Sequence, residues 1–130
     1  GFPGETEEEY QQTRALIERV GFAKIHVFPY SQRAGTKAAQ MPGQLTNALK
    51  EQRARELIAL GDAVGRKYRE RFLHRTVEVL LEEQDASGCW VGYTPEYLRV
   101  EVAETAGAQG QYRQVRISEV TDDGLRGLCE

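Results

Sequence analysis

Cysteine is scarce: Cys89 and Cys129 are the only two in 130 residues. Two thiols are too few for a disulfide framework or a four-thiolate metal site, and they read as reduced thiols of a cytoplasmic protein. No run of about 18 apolar residues exists, which excludes a transmembrane helix and a membrane partner. No basic-then-apolar leader opens the chain, so no secretory signal is read. Gly1, not methionine, stands first, inside a Gly/Pro turn, which suggests that residues precede it. Basic excess is also lacking: 17 Lys+Arg against 20 Asp+Glu give a formal net charge of −3. A uniformly basic surface for nucleic acid is thereby excluded, and phosphate contacts must come from local Arg clusters. What is present, 40% hydrophobic and 28% charged residues, is the balance of an ordinary globular chain.

The charge is unevenly spread. Residues 1–70 hold 11 basic and 9 acidic residues, whereas residues 71–130 hold 6 and 11. The period of the hydrophobic pattern changes at the same place. Gly1-Phe2-Pro3-Gly4 reads as a turn. Thr6 and Glu9 have capping-box spacing, with Glu7, Glu8 and Glu9 at the positive end of the helix dipole. A helix is expected from there, with Tyr10, Thr13, Leu16, Ile17 and Val20 on its apolar side and Gly21 at its end. Ala23–Phe28 reads as a strand closed by Pro29, with Ile25 and Val27 on one face and His26 towards a helix layer or a neighbouring strand. Helix and strand joined this closely suit a parallel α/β sheet or barrel. Residues 31–43 read as a loop. A long helix is expected from about Thr46 to Phe72, with Leu49, Leu57, Leu60, Val64, Tyr68 and Phe72 along one side. Gly61 and Gly65 weaken it by roughly 1 kcal/mol each. Beyond residue 72 the period is two: Val77, Val79 and Leu81, then Leu98, Val100 and Val102, then Val115 and Ile117. About five short strands are expected in a small β-barrel, with a bulge near Gly110–Arg113 because Tyr112 falls on the other parity from Val115.

Three stretches together carry a resemblance: GFPGET at residues 1–6, HVFPYSQRAGT at 26–36 followed by Lys37-Ala38-Ala39, and the β-module at the end. The chain resembles the radical-SAM methylthiotransferases, in the branch that modifies tRNA. The resemblance implies an α/β plus all-β chain: residues 1–43 as the end of a radical-SAM α/β barrel, 44–71 as a linking helix, and 72–130 as a five-stranded, OB-like TRAM β-barrel. It implies a transferase using S-adenosylmethionine and iron–sulfur clusters, acting on the modified adenosine 3′ of the anticodon. HVFPYS is most similar to enzymes acting on N6-threonylcarbamoyladenosine. Isopentenyl-adenosine enzymes, a ribosomal-protein branch and a stand-alone RNA-binding module are the alternatives, and Arg33 disfavours the ribosomal-protein branch. The CxxxCxxC of such enzymes is absent here, so the chain alone is expected to hold no cluster and to be inactive.

The same resemblance places Gly1, Gly4, Glu5, Val27, Phe28, Pro29, Tyr30, Ser31 and Arg33 at one edge of the S-adenosylmethionine pocket. Arg33 can pair bidentately with a carboxylate or phosphate. In the β-module, Arg75, Arg99, Arg113 and Arg116 are the candidate contacts to the tRNA anticodon stem-loop, with Arg66, Lys67, Arg69 and Arg71 of the long helix beside them. Trp90, Tyr93, Tyr97 and Tyr112 are candidate stacking groups, and at least two of these four are expected in the core. A barrel strand without its neighbours exposes an edge, so self-association is expected.

Overall fold

The computed structural model describes residues 1–103, 107 and 109–130. The chain divides into two compact units, residues 1–65 and 66–130.

In the first unit, helix α1 (Glu7–Val20) begins as its capping box dictates: Thr6 accepts from the Glu9 amide and the Glu9 carboxylate accepts from the Thr6 amide. Gly21, at φ 69°, ends it. Only Tyr10 and Ile17 of the expected apolar side are buried; Leu16 and Val20 are exposed. Thr36 caps a single-turn helix, α2 (Lys37–Gln40), inside what the sequence suggests is plain loop. Helix α3 (Asn47–Glu70) follows; its first turn is closed by the Thr46 hydroxyl and carbonyl.

The expected strand Ala23–Phe28 does not form, and no sheet exists among the described residues of this unit. The two-residue period is nevertheless real. Ala23, Ile25 and Val27 are half-buried while Lys24, His26 and Phe28 are exposed. A strand needs a partner ladder, and none is present among the described residues of this unit. No α/β-barrel end is thus seen among the described residues, and His26 is exposed and not against a helix layer.

On α3 the expected apolar side is only half-buried. Lys50, Arg53, Gly61, Gly65 and Arg69 are the buried positions. A Cβ on Gly61 would stand 2.5 Å from Cγ1 of Ile25. This glycine is the seat for Ile25, not merely a weak point in the helix.

The second unit is a closed barrel of β1 (Thr76–Gln84), β2 (Trp90–Tyr93), β3 (Arg99–Val102), β4 (Tyr112–Val120) and β5 (Leu125–Cys129), in the order β1-β2-β3-β5-β4. All neighbours are antiparallel except β3 with β5. The helix is left through His74, whose φ is 62°, and the His74 amide donates to the Ile117 carbonyl. The interior is filled by Val79, Leu81, Val100, Val102, Val115, Ile117 and Leu125, all 1% exposed or less. The expected bulge near Gly110–Arg113 forms at the start of β4: the Leu81 amide donates to the Gln111 carbonyl at 2.9 Å while the Gly110 amide donates to the Leu81 carbonyl at 2.8 Å. Gly110, at φ 79°, and Gln111 thus both stand opposite Leu81, and β1 and β4 then pair without interruption from Leu80–Tyr112 to Thr76–Arg116. Tyr112 simply points outward. Further register shifts fall between Leu81 and Glu83 and between Ile117 and Glu119.

Candidate functional site

Two groups of candidate residues were expected, and each falls within one unit. In the first unit, α3 joins the GFPGET turn to the HVFPYS segment. Arg53, 5% exposed, donates to the Glu5 carbonyl at 3.2 Å, to Glu5 Oε1 at 2.7 Å and to Glu7 Oε2 at 3.2 Å. Its guanidinium also lies 5.0 Å from the Tyr10 ring centroid. Tyr10 Oη donates to Glu56 at 2.6 Å. Burial pushes the Tyr10 hydroxyl up, and the Glu56 carboxylate beside it adds to that. Burial alone would raise the Glu5 carboxyl; hydrogen bonds from the Gly1 amine and Arg53 outweigh it and hold it below 4.5. Glu5 is thus engaged by its own chain.

One turn earlier on α3, Lys50 Nζ donates to the Tyr30 carbonyl at 3.4 Å and lies 5.2 Å from the Tyr30 ring. The Phe2 and Tyr30 rings meet edge to face at 5.4 Å. The Gly4 amide donates to the Gly43 carbonyl at 2.9 Å, and both glycines have positive φ. A cleft of about 390 Å³ is lined by Pro29, Tyr30, Ser31, Gln32, Asn47, Lys50 and Glu51. Tyr30 Oη is buried with no hydrogen-bond partner among the described residues. Phe28 is 85% exposed, and Ser31 and Arg33 are exposed; Val27 is half-buried. The Arg33 carbonyl accepts from the Thr36 hydroxyl at 2.8 Å, and Gln32 donates to the Ala39 carbonyl at 2.8 Å. Those bonds close the loop where no proline stiffens it. Lys50 and Arg53 were not singled out by sequence: on a helix this rich in charge, nothing distinguishes a buried cation from its solvated neighbours.

In the second unit the four arginines do not form one cluster. Arg75 and Arg116 are both exposed and adjoin, since the Ile117 amide donates to the Arg75 carbonyl and Arg116 pairs with Thr76. Arg116 lies 3.5 Å from Glu130. Arg113 is half-buried on the inward parity, opposite Val79, with its Nε unpartnered among the described residues. Arg99 lies on β3, 2.8 Å from Glu101 and 3.4 Å from Asp123. Glu101 also receives Arg126 at 2.8 Å, and Arg126 reaches Glu119 at 3.0 Å. The Arg99 bond, reinforced by Arg126, holds the Glu101 carboxyl below 4.5. On the last turns of α3, Arg69 is buried and donates to the Asp122 carbonyl at 3.0 Å, while Arg71 lies over the Tyr68 ring. Lys67 is exposed, and Arg66 is exposed beside Asp122 at 3.8 Å. Of the four aromatics only Trp90 is buried; Tyr93 is half-buried, and Tyr97 and Tyr112 are exposed.

Among the described residues no three His, Cys, Asp or Glu side chains converge as a metal site. Neither cysteine forms a disulfide. No helix there is long and apolar enough to cross a membrane.

No protein-family model matches the chain. It is 38% identical over 121 residues to the threonylcarbamoyladenosine tRNA methylthiotransferase MtaB of Bacillus subtilis, covering 90% of this chain and 27% of that protein. It is 36% identical over 132 residues to a tRNA-2-methylthio-N6-dimethylallyladenosine synthase of Chloroflexus aurantiacus, covering 98% of this chain and 28% of that one. The Thermotoga maritima MtaB is 32% identical over 125 residues, with 96% and 28% covered. The chain thus spans little more than a quarter of the length of these relatives. A solved multidomain protein with nucleic acid binding domains from Streptococcus pneumoniae superposes with a TM-score of 0.41 at 12% identity, over 45% of this chain and 23% of that one.

Proposed function

The chain belongs to the radical-SAM tRNA methylthiotransferases, in a segment spanning 27–28% of its relatives' length, and on that premise we propose that it is the C-terminal part of such an enzyme. The observation that carries the reading is the match along 90–98% of the chain to enzymes of two tRNA-methylthiolating kinds. The parent enzyme replaces a C–H bond of the modified adenosine 3′ of the anticodon with a methylthio group. N6-threonylcarbamoyladenosine is the preferred target, on the HVFPYS stretch.

In this reading the first unit contributes one edge of the S-adenosylmethionine pocket. Gly1 and Gly4 lack side chains at the turn, Phe28 offers an exposed ring, and Tyr30 holds a buried hydroxyl without a partner among the described residues. These features fit a polar, ring-bearing ligand at that edge; Val27, Pro29, Ser31 and Arg33 complete it. Glu5, held by Arg53, shapes the turn from behind. The residues do not fit an iron–sulfur cluster, which needs several convergent thiolates. S-adenosylmethionine and the clusters supply the radical chemistry only in the whole enzyme. The barrel binds the tRNA anticodon stem-loop, with Arg75 and Arg116 as the exposed phosphate contacts and Arg99 and Arg113 supporting the surface.

The test uses the 130-residue chain. It binds an anticodon stem-loop with an affinity that falls as salt rises. An Arg75→Glu, Arg116→Glu double variant binds at least about tenfold more weakly, as expected for lost phosphate contacts. After anaerobic reconstitution the chain holds no stoichiometric iron and transfers no methylthio group. Unchanged binding by the double variant sinks the phosphate face, and a stoichiometric cluster sinks the division of labour.

A further inference from the structure

The tip of the β2–β3 hairpin breaks a local rule. Residues 94–97 make a tight turn: the Tyr97 amide donates to the Thr94 carbonyl at 2.9 Å, and the Thr94 amide to the Leu98 carbonyl at 3.0 Å. The Thr94 hydroxyl, on a residue 3% exposed, accepts from the Leu98 amide. Tyr97 takes φ 64° in this turn, where glycine or asparagine is the low-strain choice. Its side chain is 87% exposed. A bulky aromatic held in a strained conformation, with almost no packing in return, points to a ligand.

The surroundings say which kind. Leu80 is the outward residue at the middle of β1, and it pairs with Tyr93 on one side and Tyr112 on the other. The Tyr97 ring lies 6.1 Å from that of Tyr93. Tyr112 is 66% exposed. Together with Thr94 and Pro95 these residues line a groove of about 260 Å³ with Glu78 and Glu82 at its sides. The two carboxylates are exposed and make no hydrogen bond or ion pair among the described residues, unlike Glu101, Glu119 and Glu130, which face arginines. A flat aromatic surface takes a planar ring. Unpaired carboxylates repel phosphate and accept from N–H donors. Guanine is the base whose Watson–Crick edge presents two adjacent donors, N1–H and N2–H, matching the two oxygens of one carboxylate.

We propose that this groove is a stacking site for an unpaired guanine of the bound RNA, read by Glu78 or Glu82. The proposal rests on the tRNA-binding reading above and names the base that the barrel selects. Tyr97 and Tyr112 supply the stacking faces, and the ribose-phosphate is left to the arginines.

The experiment measures binding of the 130-residue chain to hairpin RNAs that differ at one unpaired loop position. The guanine hairpin binds about tenfold tighter than the uracil hairpin, and Tyr97→Ala or Tyr112→Ala each removes about that factor. Tyr97→Phe retains it. Glu78→Gln with Glu82→Gln abolishes the guanine preference without weakening the uracil hairpin. Equal affinity for all four bases, or full affinity in both tyrosine variants, overturns the site while leaving the tRNA reading intact. Tighter capture of a blocked arginine amide than of guanosine also overturns it, because an aromatic cage with carboxylates can hold a cation instead. If no hairpin binds, the tRNA reading falls, and guanosine alone decides. Shifts of the Tyr97 and Tyr112 ring resonances that the glutamine pair removes sustain the site, and no shift ends it.

Discussion

At the residue scale, Arg53 decides more than any side chain named from the sequence. Its side chain is 6% exposed, while Glu5 and Glu7 remain partly hydrated at 24% and 66%. The pair is therefore a half-buried one, in which the rigid guanidinium fork serves three acceptors at once. Arg53→Met leaves the Glu5 carboxylate short of its partner and should cost about 1–3 kcal/mol. Hydrogen exchange in the first turn of α1 reads that loss. Arg53→Lys should recover little of it, since an ammonium cannot span Glu5 and Glu7 together. A second residue sets acid behaviour in the barrel. Glu101 ionises more easily folded than unfolded, so its stabilisation is complete above about pH 4.5 and is lost as pH falls through its lowered folded value. Acid titration of barrel unfolding should be level near neutrality and fall below 4.5. Glu101→Gln should lower the neutral plateau and flatten the acid limb; an unchanged limb would show that other carboxylates dominate.

At the scale of elements, Gly61 sets helix propensity against packing. Gly61→Ala in an exposed helix gains about 1 kcal/mol. Here the new methyl meets Ile25, so the variant should be less stable than wild type. Gly61→Ala together with Ile25→Ala should regain part of the loss, and a double-mutant cycle followed by thermal unfolding measures the coupling. If Gly61→Ala alone stabilises, Ile25 is not seated there. The contrast shows what local signals carry. Thr6, Glu9 and Gly21 bound α1 because caps act within a few residues, and alternating valines mark β1, β3 and β4 because barrel walls have one wet face. Ala23–Phe28 has the same alternation and no ladder, since pairing depends on partners that no local pattern reports. The end of α3, expected near Phe72, falls at Glu70, although the left-handed residue beyond it is His74 and not the glycine that usually signals such a turn. The bulge at Gly110–Gln111 is legible because a glycine free to take positive φ stands where the alternation of β4 begins.

At the scale of the molecule, each unit shows a different surface. The first exposes the large apolar side chains Phe28, Val20, Phe22 and Leu16. The isolated chain should self-associate with rising concentration in sedimentation, through these side chains and not through a strand edge. Phe28→Asp should reduce the association; indifference to that change would place the contact elsewhere. The two motif segments stand out in the sequence, but the helix residues joining them do not, because Lys50 and Arg53 act across long sequence separations. The stacking groove was half-legible: its tyrosines stood out, whereas their assembly around Leu80 depends on the register of three strands. The barrel's closure has a consequence for synthesis. β5, the last strand made, joins β3 to β4. Until residues 125–129 have left the ribosome, both of those strands stand open, and a product truncated after Val120 keeps two bare edges. Closure of this module therefore waits for β5, and a truncation or frameshift ahead of Leu125 leaves the barrel open however well the rest is made.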